Sequence, residues 1–347
     1  MRAQKDDDIQ MSKTALVTGY AGFIGLHFSR RLLEQGYKVV GIDCFSDYYD
    51  VELKRFRHQL LNGMTGFQAV EGHIEQRGLL ADVFQSIKPD LVFHVAAQAG
   101  VRHSIDAPRD YVDANIIGTF EVLEACRHNK PAHLMMASTS SIYGANKIDE
   151  FSETDKTDHQ VSFYAATKKA NEAMAHSYAH LFQIPTTALR FFTVYGPWGR
   201  PDMALFKFTK AIANDEAIDL YNYGEMFRDF TYIDDLIAKI DRLKDLPPIQ
   251  TDRELIAPAD SLSPVAPFRT LNIANGKPVP LRDYVRAIET ALGKDAKINL
   301  KPIPPGDVVG TAADVTLLES LIGETQQTDY LDGVARFVDW YQSYYEA

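Results

Sequence analysis

The chain has 347 residues and a formal net charge of −11 at pH 7. This length exceeds a usual single core, so we expect one large domain and a smaller one. The acidic balance argues against a nucleic-acid partner and against an acidic membrane surface, whereas 46% hydrophobic and 24% charged residues are typical of a soluble globular protein.

Cysteine content and hydropathy indicate the cellular compartment in which the chain is expected. Two cysteines, Cys44 and Cys126, cannot make a disulfide framework, and neither belongs to a metal-ligand spacing. We therefore expect no metal site and a reducing, cytoplasmic location. No apolar run is long enough to span a bilayer, and the charged residues 1–12 lack the apolar segment of a signal peptide, so we expect a flexible tail.

The first structured segment carries three glycines at spacings of three, Gly19, Gly22 and Gly25. An apolar run from Thr14 to Thr18 precedes them and an amphipathic stretch from Phe28 to Gln35 follows, which predicts a strand, a tight turn and a helix. Because glycine has no Cβ, the backbone can approach a pyrophosphate, and the free N–H groups of the helix start attract this anion. The pattern predicts a dinucleotide-binding site.

A second strand, Val39 to Ile42, leads to Asp43, which lies 18 residues after Gly25. A carboxylate at this position can accept hydrogen bonds from both ribose hydroxyls of an adenosine. It would repel a 2′-phosphate, and no arginine follows it directly. The sequence therefore favours NAD over NADP as the cofactor.

Strands and helices alternate as far as about residue 200. The expected strands are 67–71, 91–97, 132–137 and 186–192, and the expected helices are 78–86, 108–128 and 162–182. This alternation predicts an α/β fold with a Rossmann-type doubly wound parallel sheet over residues 13–200, completed by later returning segments. From about Asp202 the alternation stops, so we expect residues 201–347 to form mainly a smaller C-terminal α/β substrate lobe.

Helix 162–182 contains Tyr164 and Lys168, which lie four residues apart and therefore one turn apart on one face. Such a pair is common on exposed helices, but here it follows a dinucleotide fingerprint and a hydroxyl cluster, Ser138 to Ser141. Free tyrosine has a pKa of about 10. A neighbouring ammonium and an oxidised nicotinamide would favour the phenolate, so Tyr164 could act as a base.

Several longer strings carry a resemblance to a known family. The motifs TGYAGFIG, STSSIYG and YAATK resemble the extended short-chain dehydrogenase/reductase superfamily. DYYDVELK, AAQAGVRHS, FTVYGPWGRPDMA and YNYGEMFRDFTYIDD are similar to the UDP-glucuronate 4-epimerases, which make UDP-galacturonate. The likeness runs from about Thr14 to the C-terminus.

The resemblance implies a set of site residues in this chain. Tyr164 would be the base, Lys168 would bind the nicotinamide ribose and tune Tyr164, and Thr139 would hold the 4-hydroxyl of the sugar. Cofactor contacts are expected from Gly19, Gly22, Phe23, Ile24, Gly25, Asp43, Ile74, Ala96, Ala97, Asn115, Tyr164 and Lys168. Substrate contacts are expected from Arg102, Thr139, Ser140, Ser141, Thr193, Arg200, Phe206, Tyr221, Arg228 and Asp307.

The chain departs from the family pattern at two positions. Tyr20 stands where a glycine is usual, which bears on the close packing of the turn. His73 stands where relatives commonly carry an aspartate that contacts adenine. We also expect helices 110–128 and 162–182 to pair across a two-fold axis, because their apolar and small residues cover more sides than one sheet face needs. This predicts a homodimer through a four-helix bundle.

Other members of the superfamily remain alternatives. Dehydratases carry an Asp-Glu pair where this chain has Ser140 and Ser141, so we set dehydration aside. UDP-glucuronate decarboxylases usually have a glutamate near the position of Ser141, and this chain has none there. Decarboxylation is still the best enzymatic alternative. A non-catalytic NAD-sensing protein is a third possibility, although it would not need Tyr164, Lys168 and Thr139.

Overall fold

The computed structural model describes residues 12–146, 150–304 and 309–345. Strands are numbered along the chain: β1 (Thr14–Thr18), β2 (Lys38–Asp43), β3 (Phe67–Glu71), β4 (Leu91–His94), β5 (His133–Thr139), β6 (Thr186–Phe191), β7 (Thr193–Tyr195), β8 (Ala217–Leu220), β9 (Phe227–Tyr232), β10 (Phe268–Ile273), β11 (Pro278–Pro280), β12 (Lys297–Leu300) and β13 (Gly310–Thr311).

The helices are numbered in the same way: α1 (Phe23–Glu34), α2 (Val51–Asn62), α3 (Leu79–Ile87), α4 (His103–Asp106), α5 (Pro108–Tyr111), α6 (Gly118–Asn129), α7 (Phe163–Phe182), α8 (Ala204–Ala213), α9 (Ile233–Leu243), α10 (Leu281–Leu292), α11 (Thr316–Ile322) and α12 (Tyr330–Tyr345). A π-helical segment, Val112–Ile117, joins α5 to α6. No helix within the described ranges is both long and apolar enough to cross a bilayer.

Seven strands form one large parallel sheet in the order β10-β6-β5-β4-β1-β2-β3. This arrangement confirms the Rossmann-type doubly wound fold. The strand order reverses between β1 and β4, and in such sheets ligands bind outside the carboxyl ends of the strands at this point. The seventh strand, β10, comes from beyond residue 200 and returns to the sheet edge beside β6.

The central strands are apolar because helices cover both faces of the sheet. In β1, Ala15 and Val17 belong to one core cluster, which includes Phe28 of α1, whereas Leu16 belongs to the other. This separation follows the two-residue period of a strand. The run TALVT is therefore buried on both sides, as its composition predicts.

Three segments differ from the sequence-based expectations. The fourth strand ends at His94 rather than at residue 97, and residues 95–97 continue as a loop. The expected helix 108–128 is interrupted by its π-helical segment. The expected strand 186–192 ends at Phe191, and a further strand, β7, begins after one residue and pairs with β9 of the small lobe. Pairing with a distant segment is not visible in local sequence.

The small lobe is built around β9, which pairs with β7, β11 and β13. A further two-stranded sheet joins β8 to β12. Strand β7 lies next to the carboxyl end of β6, because it follows β6 after a single residue. The lobe therefore begins directly at the ligand-binding edge of the large sheet.

Candidate active site

A cavity of about 880 Å³ opens at the carboxyl ends of the parallel strands. Most of the residues predicted to contact cofactor or substrate line it. On the cofactor side these are Gly19, Gly22, Phe23, Ile24, Gly25, Asp43, Ile74, Ala96 and Ala97, and on the substrate side Thr139, Ser140, Ser141, Tyr164, Lys168, Thr193 and Arg200.

The glycine-rich turn is built so that no side chain fills its space. Gly19 has φ +74°, and a Cβ there would lie 2.7 Å from the backbone nitrogen of Ala96. A Cβ at Gly25 would collide with the carbonyl group of Gly19. Helix α1 begins at Phe23, so its free N–H groups face this turn. The turn therefore has the backbone access that a pyrophosphate requires.

Asp43 lies at the end of β2 and is fixed by two backbone groups. Its Oδ2 accepts the N–H of Ala21 at 3.1 Å and its Oδ1 accepts the N–H of Phe45 at 2.9 Å. Burial raises the pKa of Asp43, and these two hydrogen bonds oppose that rise. A carboxylate held at the rim of the cavity in this way fits the ribose of an adenosine.

Tyr20 does not disturb the turn, because its ring points away from it. The side chain is fully buried, and its hydroxyl lies 2.8 Å from Nδ1 of His58. Gly41 of β2 provides the space, since a Cβ at Gly41 would lie 2.5 Å from the Tyr20 ring. At the other unusual position, His73 lies at the cavity wall with its Nδ1 2.9 Å from Glu75.

Thr139, Tyr164 and Lys168 meet where β5 ends against α7. Burial raises the pKa of Tyr164, whereas a hydrogen bond to the Thr139 side chain and the positive charge of Arg200 lower it. Lys168 donates from Nζ to the carbonyl oxygen of Ala137 at 3.0 Å. Burial lowers the pKa of Lys168 to about 8, and the carboxylate of Glu172 opposes this shift.

The expected effect of Lys168 on Tyr164 stays a prediction. The groups that lower the pKa of Tyr164 in this structure are Thr139 and Arg200. Tyr164 carries a phenol whose burial favours the protonated form, so a further positive charge beside it is needed to make it a base near neutral pH. An oxidised nicotinamide bound in this cavity would bring such a charge.

Hydroxyl groups and one arginine make up the substrate side of the cavity. Thr139 donates to the Ser141 hydroxyl at 3.2 Å, and its own oxygen accepts the Ser141 N–H at 3.1 Å. Arg200 pairs with Asp202 through Nη2 and Oδ2 at 2.6 Å and through Nε and Oδ1 at 3.0 Å. Tyr48 also donates to this Asp202 at 3.2 Å. A guanidinium with planar, paired donors suits the oxygens of a diphosphate.

Asn115 supports the cavity wall without lining the cavity. It is fully buried, its Oδ1 accepts the N–H of Gln98 at 2.8 Å, and its Nδ2 donates to the Gln98 carbonyl at 3.0 Å. Nδ2 also donates to the Thr167 hydroxyl at 3.0 Å. Asn115 therefore fixes the loop after β4 to helix α7, and the cofactor contact expected of it stays a prediction.

Four of the predicted substrate residues lie away from the cavity that the described residues form. Arg102 lies 4.7 Å from the ring centroid of Tyr221, and Arg228 donates to the Val309 carbonyl at 3.0 Å. Phe206 packs in an aromatic cluster with α12, at 5.4 Å from the Tyr341 ring. Asp307 lies outside the described residues. The uracil and diphosphate contacts expected of these residues are not tested by the geometry.

Two basic residues of α2 were not among the candidates. Lys54 lines the cavity and donates to the Ser46 hydroxyl at 2.9 Å. Arg57 is fully buried and donates to the carbonyl groups of Ala21 at 3.1 Å, Trp198 at 2.6 Å and Gly199 at 3.1 Å. Their spacing of three places both on one helix face, which is the only local signal.

His94 is a core residue, as its position inside a strand predicts. Its Nδ1 lies 2.8 Å from the Thr18 hydroxyl and its Nε2 lies 3.1 Å from the Thr119 hydroxyl. Burial, with the nearby Lys168 charge, lowers its pKa to about 3. Within the described residues, no group of three or more His, Cys, Asp or Glu side chains could hold a metal ion.

Known proteins that are similar to this chain agree with the family resemblance of its motifs. A relative from Rhizobium meliloti named "Probable UDP-glucuronate 4-epimerase" is 51% identical over 333 residues, which is 95% of this chain and 97% of that protein. UDP-glucuronate 4-epimerase 4 of Arabidopsis thaliana is 44% identical over 96% of this chain and 76% of its own.

A solved structure is similar over nearly the whole chain. The UDP-glucuronic acid 4-epimerase of Bacillus cereus, in complex with UDP-glucuronic acid and NAD, superposes with a TM-score of 0.84 at 33% identity, covering 96% of this chain and 100% of that one. The sequence profile of the NAD dependent epimerase/dehydratase family matches residues 15–246. The chain therefore belongs to the NAD dependent epimerase/dehydratase family.

Proposed function

We propose that this protein is an NAD-dependent UDP-glucuronate 4-epimerase, an isomerase that inverts C4 of UDP-glucuronate to give UDP-galacturonate. The observation that carries the proposal is the meeting of Thr139, Tyr164 and Lys168 in one cavity that runs from the glycine-rich turn to Arg200. Relatives with this name cover almost the whole chain. The product would serve polysaccharide biosynthesis, and the two free cysteines fit a cytoplasmic enzyme.

The residues of the chain divide the work of the reaction. Tyr164 would take the proton of the C4 hydroxyl, while Thr139 holds this hydroxyl and the Tyr164 phenol in one hydrogen-bonded line. Lys168 would bind the nicotinamide ribose. NAD would supply the hydride acceptor and later the hydride donor, so net redox is zero. The 4-keto sugar would rotate about its diphosphate, so that the hydride would return to the opposite face of C4 while Tyr164 returns the proton to the oxygen, and C4 would thereby be inverted.

Binding of the nucleotide is assigned first to Arg200, which lines the cavity. Asp202 already holds its guanidinium, so a diphosphate would share Arg200 with this carboxylate or displace it. Arg102, Phe206, Tyr221, Arg228 and Asp307 are further proposed contacts for UDP. Arg102, Phe206, Tyr221 and Arg228 lie away from the cavity, so the segments that carry them would have to move toward the large sheet to contact UDP.

The carboxylate of the sugar would be met by neutral hydroxyls from Ser140, Ser141 and Thr193, with Thr139 beside them. The 4-keto intermediate is a β-keto acid and can lose carbon dioxide. Hydroxyls that hold the carboxylate in the plane of the ring would hinder this loss. Thr193→Ala is therefore expected to raise the share of decarboxylated product, and an unchanged product ratio would contradict this role.

A homodimer is proposed through α6 and α7. Several apolar side chains on these helices or beside them stay exposed in the single chain, among them Ile117 at 39%, Phe120 at 43% and Phe163 at 41%. A second copy of the same helices would cover them in a four-helix bundle. Light scattering should give twice the chain mass, and Phe120→Asp should shift it toward the monomer.

The direct test is incubation of the purified protein with UDP-glucuronate and no added NAD, followed by proton NMR. We expect UDP-galacturonate to appear, because the cofactor is regenerated in each turnover. UDP-xylose would indicate a decarboxylase instead. An unchanged substrate, with NAD present in the protein, would support an NAD-sensing protein and overturn the proposal.

A further inference from the structure

Below the catalytic residues lies a buried carboxylate that the reaction does not use. Glu172 is 4% exposed and lies on α7, one turn after Lys168. Arg190 of β6 binds it with two hydrogen bonds, from Nε to Oε1 and from Nη2 to Oε2, both at 3.0 Å. Tyr164, Lys168 and Glu172 therefore share one face of the helix at successive turns.

Glu172 also reaches the strand that carries the catalytic threonine. Ser138 donates from Oγ to Oε1 of Glu172 at 2.6 Å. Ser138 directly precedes Thr139 at the end of β5. One carboxylate thus joins α7, which carries Tyr164, to β5 and β6, and its donors leave it in a single orientation.

Lys168 is 3% exposed, and an ammonium group loses its hydration at this depth. The titratable groups acting on it come from its own helix and from β4. On α7, the Glu172 carboxylate favours the charged form. On β4, His94 is neutral in the working range because burial lowers its pKa to about 3. Toward β5, Lys168 donates to the uncharged carbonyl group of Ala137.

We infer that Glu172 is a positioning residue of the active site: held by Arg190 and Ser138, it keeps Lys168 as an ammonium and fixes the end of β5 against α7. The inference rests on the proposed epimerase reaction, for which Lys168 must stay charged beside Tyr164. It assigns to Glu172 an electrostatic effect in addition to its packing, and the two can be separated by experiment.

The first variant is Glu172→Gln, which keeps the shape and removes the charge. Lys168 then loses its carboxylate while the Arg190 cation remains, so its proton is released at lower pH. We expect the alkaline limb of the pH profile of kcat to move about one pH unit lower, the shift typical of one nearby charge. The KM for UDP-glucuronate should change little, because neither Glu172 nor Arg190 lines the cavity among the described residues.

A second variant covers the case in which an unpaired Arg190 prevents folding. Glu172→Gln with Arg190→Met removes both buried charges, a replacement that proteins often tolerate. The alkaline limb should again move to lower pH, because the Glu172 carboxylate is the charge that favours the ammonium form of Lys168. Glu172→Asp keeps the charge and should return the limb toward its position in the parent protein.

Asp260→Asn is the matched control. Asp260 pairs with Arg269 through two hydrogen bonds of 2.9 Å and is also largely buried, but this pair lies between a loop and the outer strand β10. Its loss should lower stability and leave the pH profile in place. If Glu172→Gln behaves in the same way, with lower stability and no shift of the alkaline limb, the inference is overturned.

A second readout does not need turnover. Competitive acetylation of the cofactor-free protein, read by peptide mass spectrometry, reports the neutral fraction of Lys168 at each pH. We expect half-reaction at lower pH in Glu172→Gln than in the parent protein. Equal titration curves would overturn the inference even if the protein is no epimerase, whereas a failure to form UDP-galacturonate overturns the proposed function alone.

Discussion

The two halves of the cavity are built in different ways. The cofactor half consists of the ends of β1, β2, β3 and β4 and the turns that follow them, and nine residues predicted for it line the cavity. The substrate half draws on loops after β5 and β6 and on the small lobe. Of the predicted nucleotide contacts that the structure describes, only Arg200 lines the cavity there. Sheet topology fixes the first half, whereas the second depends on how distant segments pack.

The largest expected effect tests the point where the two halves meet. Tyr164→Phe removes the hydroxyl that is proposed to move the proton, and we expect kcat to fall about 10³-fold, within the range of general-base catalysis. Bound NAD should remain, because the cofactor half is intact. Tyr178→Phe is the control, since Tyr178 lies on the same helix but donates to Glu124. Similar loss in both variants would place the catalytic group elsewhere.

A buried carboxyl behind the substrate half gives a pH-dependent prediction. Burial raises the pKa of Glu153 from 4.5 to about 7. Between these values the unfolded chain releases its proton while the folded protein keeps it, so stability falls as the pH rises and the loss is complete above pH 7. Glu153→Gln should therefore add about 3 kcal/mol to the unfolding free energy at pH 8 and nothing at pH 4.

Urea unfolding at the two pH values measures this difference. Glu216→Gln, at an exposed glutamate, serves as the control and should show no such pH dependence. Equal gains at both pH values would mean that the pKa of Glu153 is the same in the folded and the unfolded protein. In the cofactor half, the half-buried carboxyl of Asp43 accepts the backbone N–H groups of Ala21 and Phe45.

The substrate half is tested alone by Arg200→Met. The loss of charge-assisted hydrogen bonds to a diphosphate should raise the KM for UDP-glucuronate about 10- to 100-fold, equivalent to about 1.5–3 kcal/mol. Retention of NAD should not change. Arg286→Met removes an exposed lobe arginine that pairs with Asp283 and should leave the KM unaltered. A KM unaffected by Arg200→Met would assign the diphosphate to another arginine.

The smallest effect concerns the packing of the cofactor half. Gly41→Ala would place a Cβ 2.5 Å from the Tyr20 ring and should cost about 1–3 kcal/mol of stability, as overpacking does. In a Tyr20→Ala background the same change should cost little, because the ring is gone. Gly63→Ala is the control, since its nearest neighbour would lie 3.9 Å away. Equal costs in both backgrounds would show that the two positions are independent.

The two halves also differ in how much of their structure the sequence predicts. The glycine spacing, Asp43 and the pair Tyr164 and Lys168 were predictable because local periodicity and the order of a parallel sheet determine where they lie. The pairing of β7 with β9, and the burial of Phe206 against α12, depend on contacts between remote segments. Asn115 shows the same limit: its pattern indicates a helix, but its bonds to the Gln98 backbone depend on a loop 17 residues away.

Tyr20 was expected to bear on the close packing of the turn, yet its partner lies on another strand. Gly41 lies under the Tyr20 ring because β1 and β2 pair side by side in the sheet. A single sequence shows the large residue and the glycine separately. It does not show that one makes room for the other.

Arg57 ties the two halves together. Its guanidinium donates to the carbonyl group of Ala21, beside the glycine-rich turn. It also donates to the carbonyl groups of Trp198 and Gly199, just before Arg200. This buried side chain thus links the glycine-rich turn to the loop that carries Arg200, the residue proposed to bind the diphosphate. In the proposed reaction, the 4-keto sugar turns so that either of its faces can meet the same carbon of the nicotinamide. A fixed link between the two binding regions helps this step, because only the sugar is then left free to move.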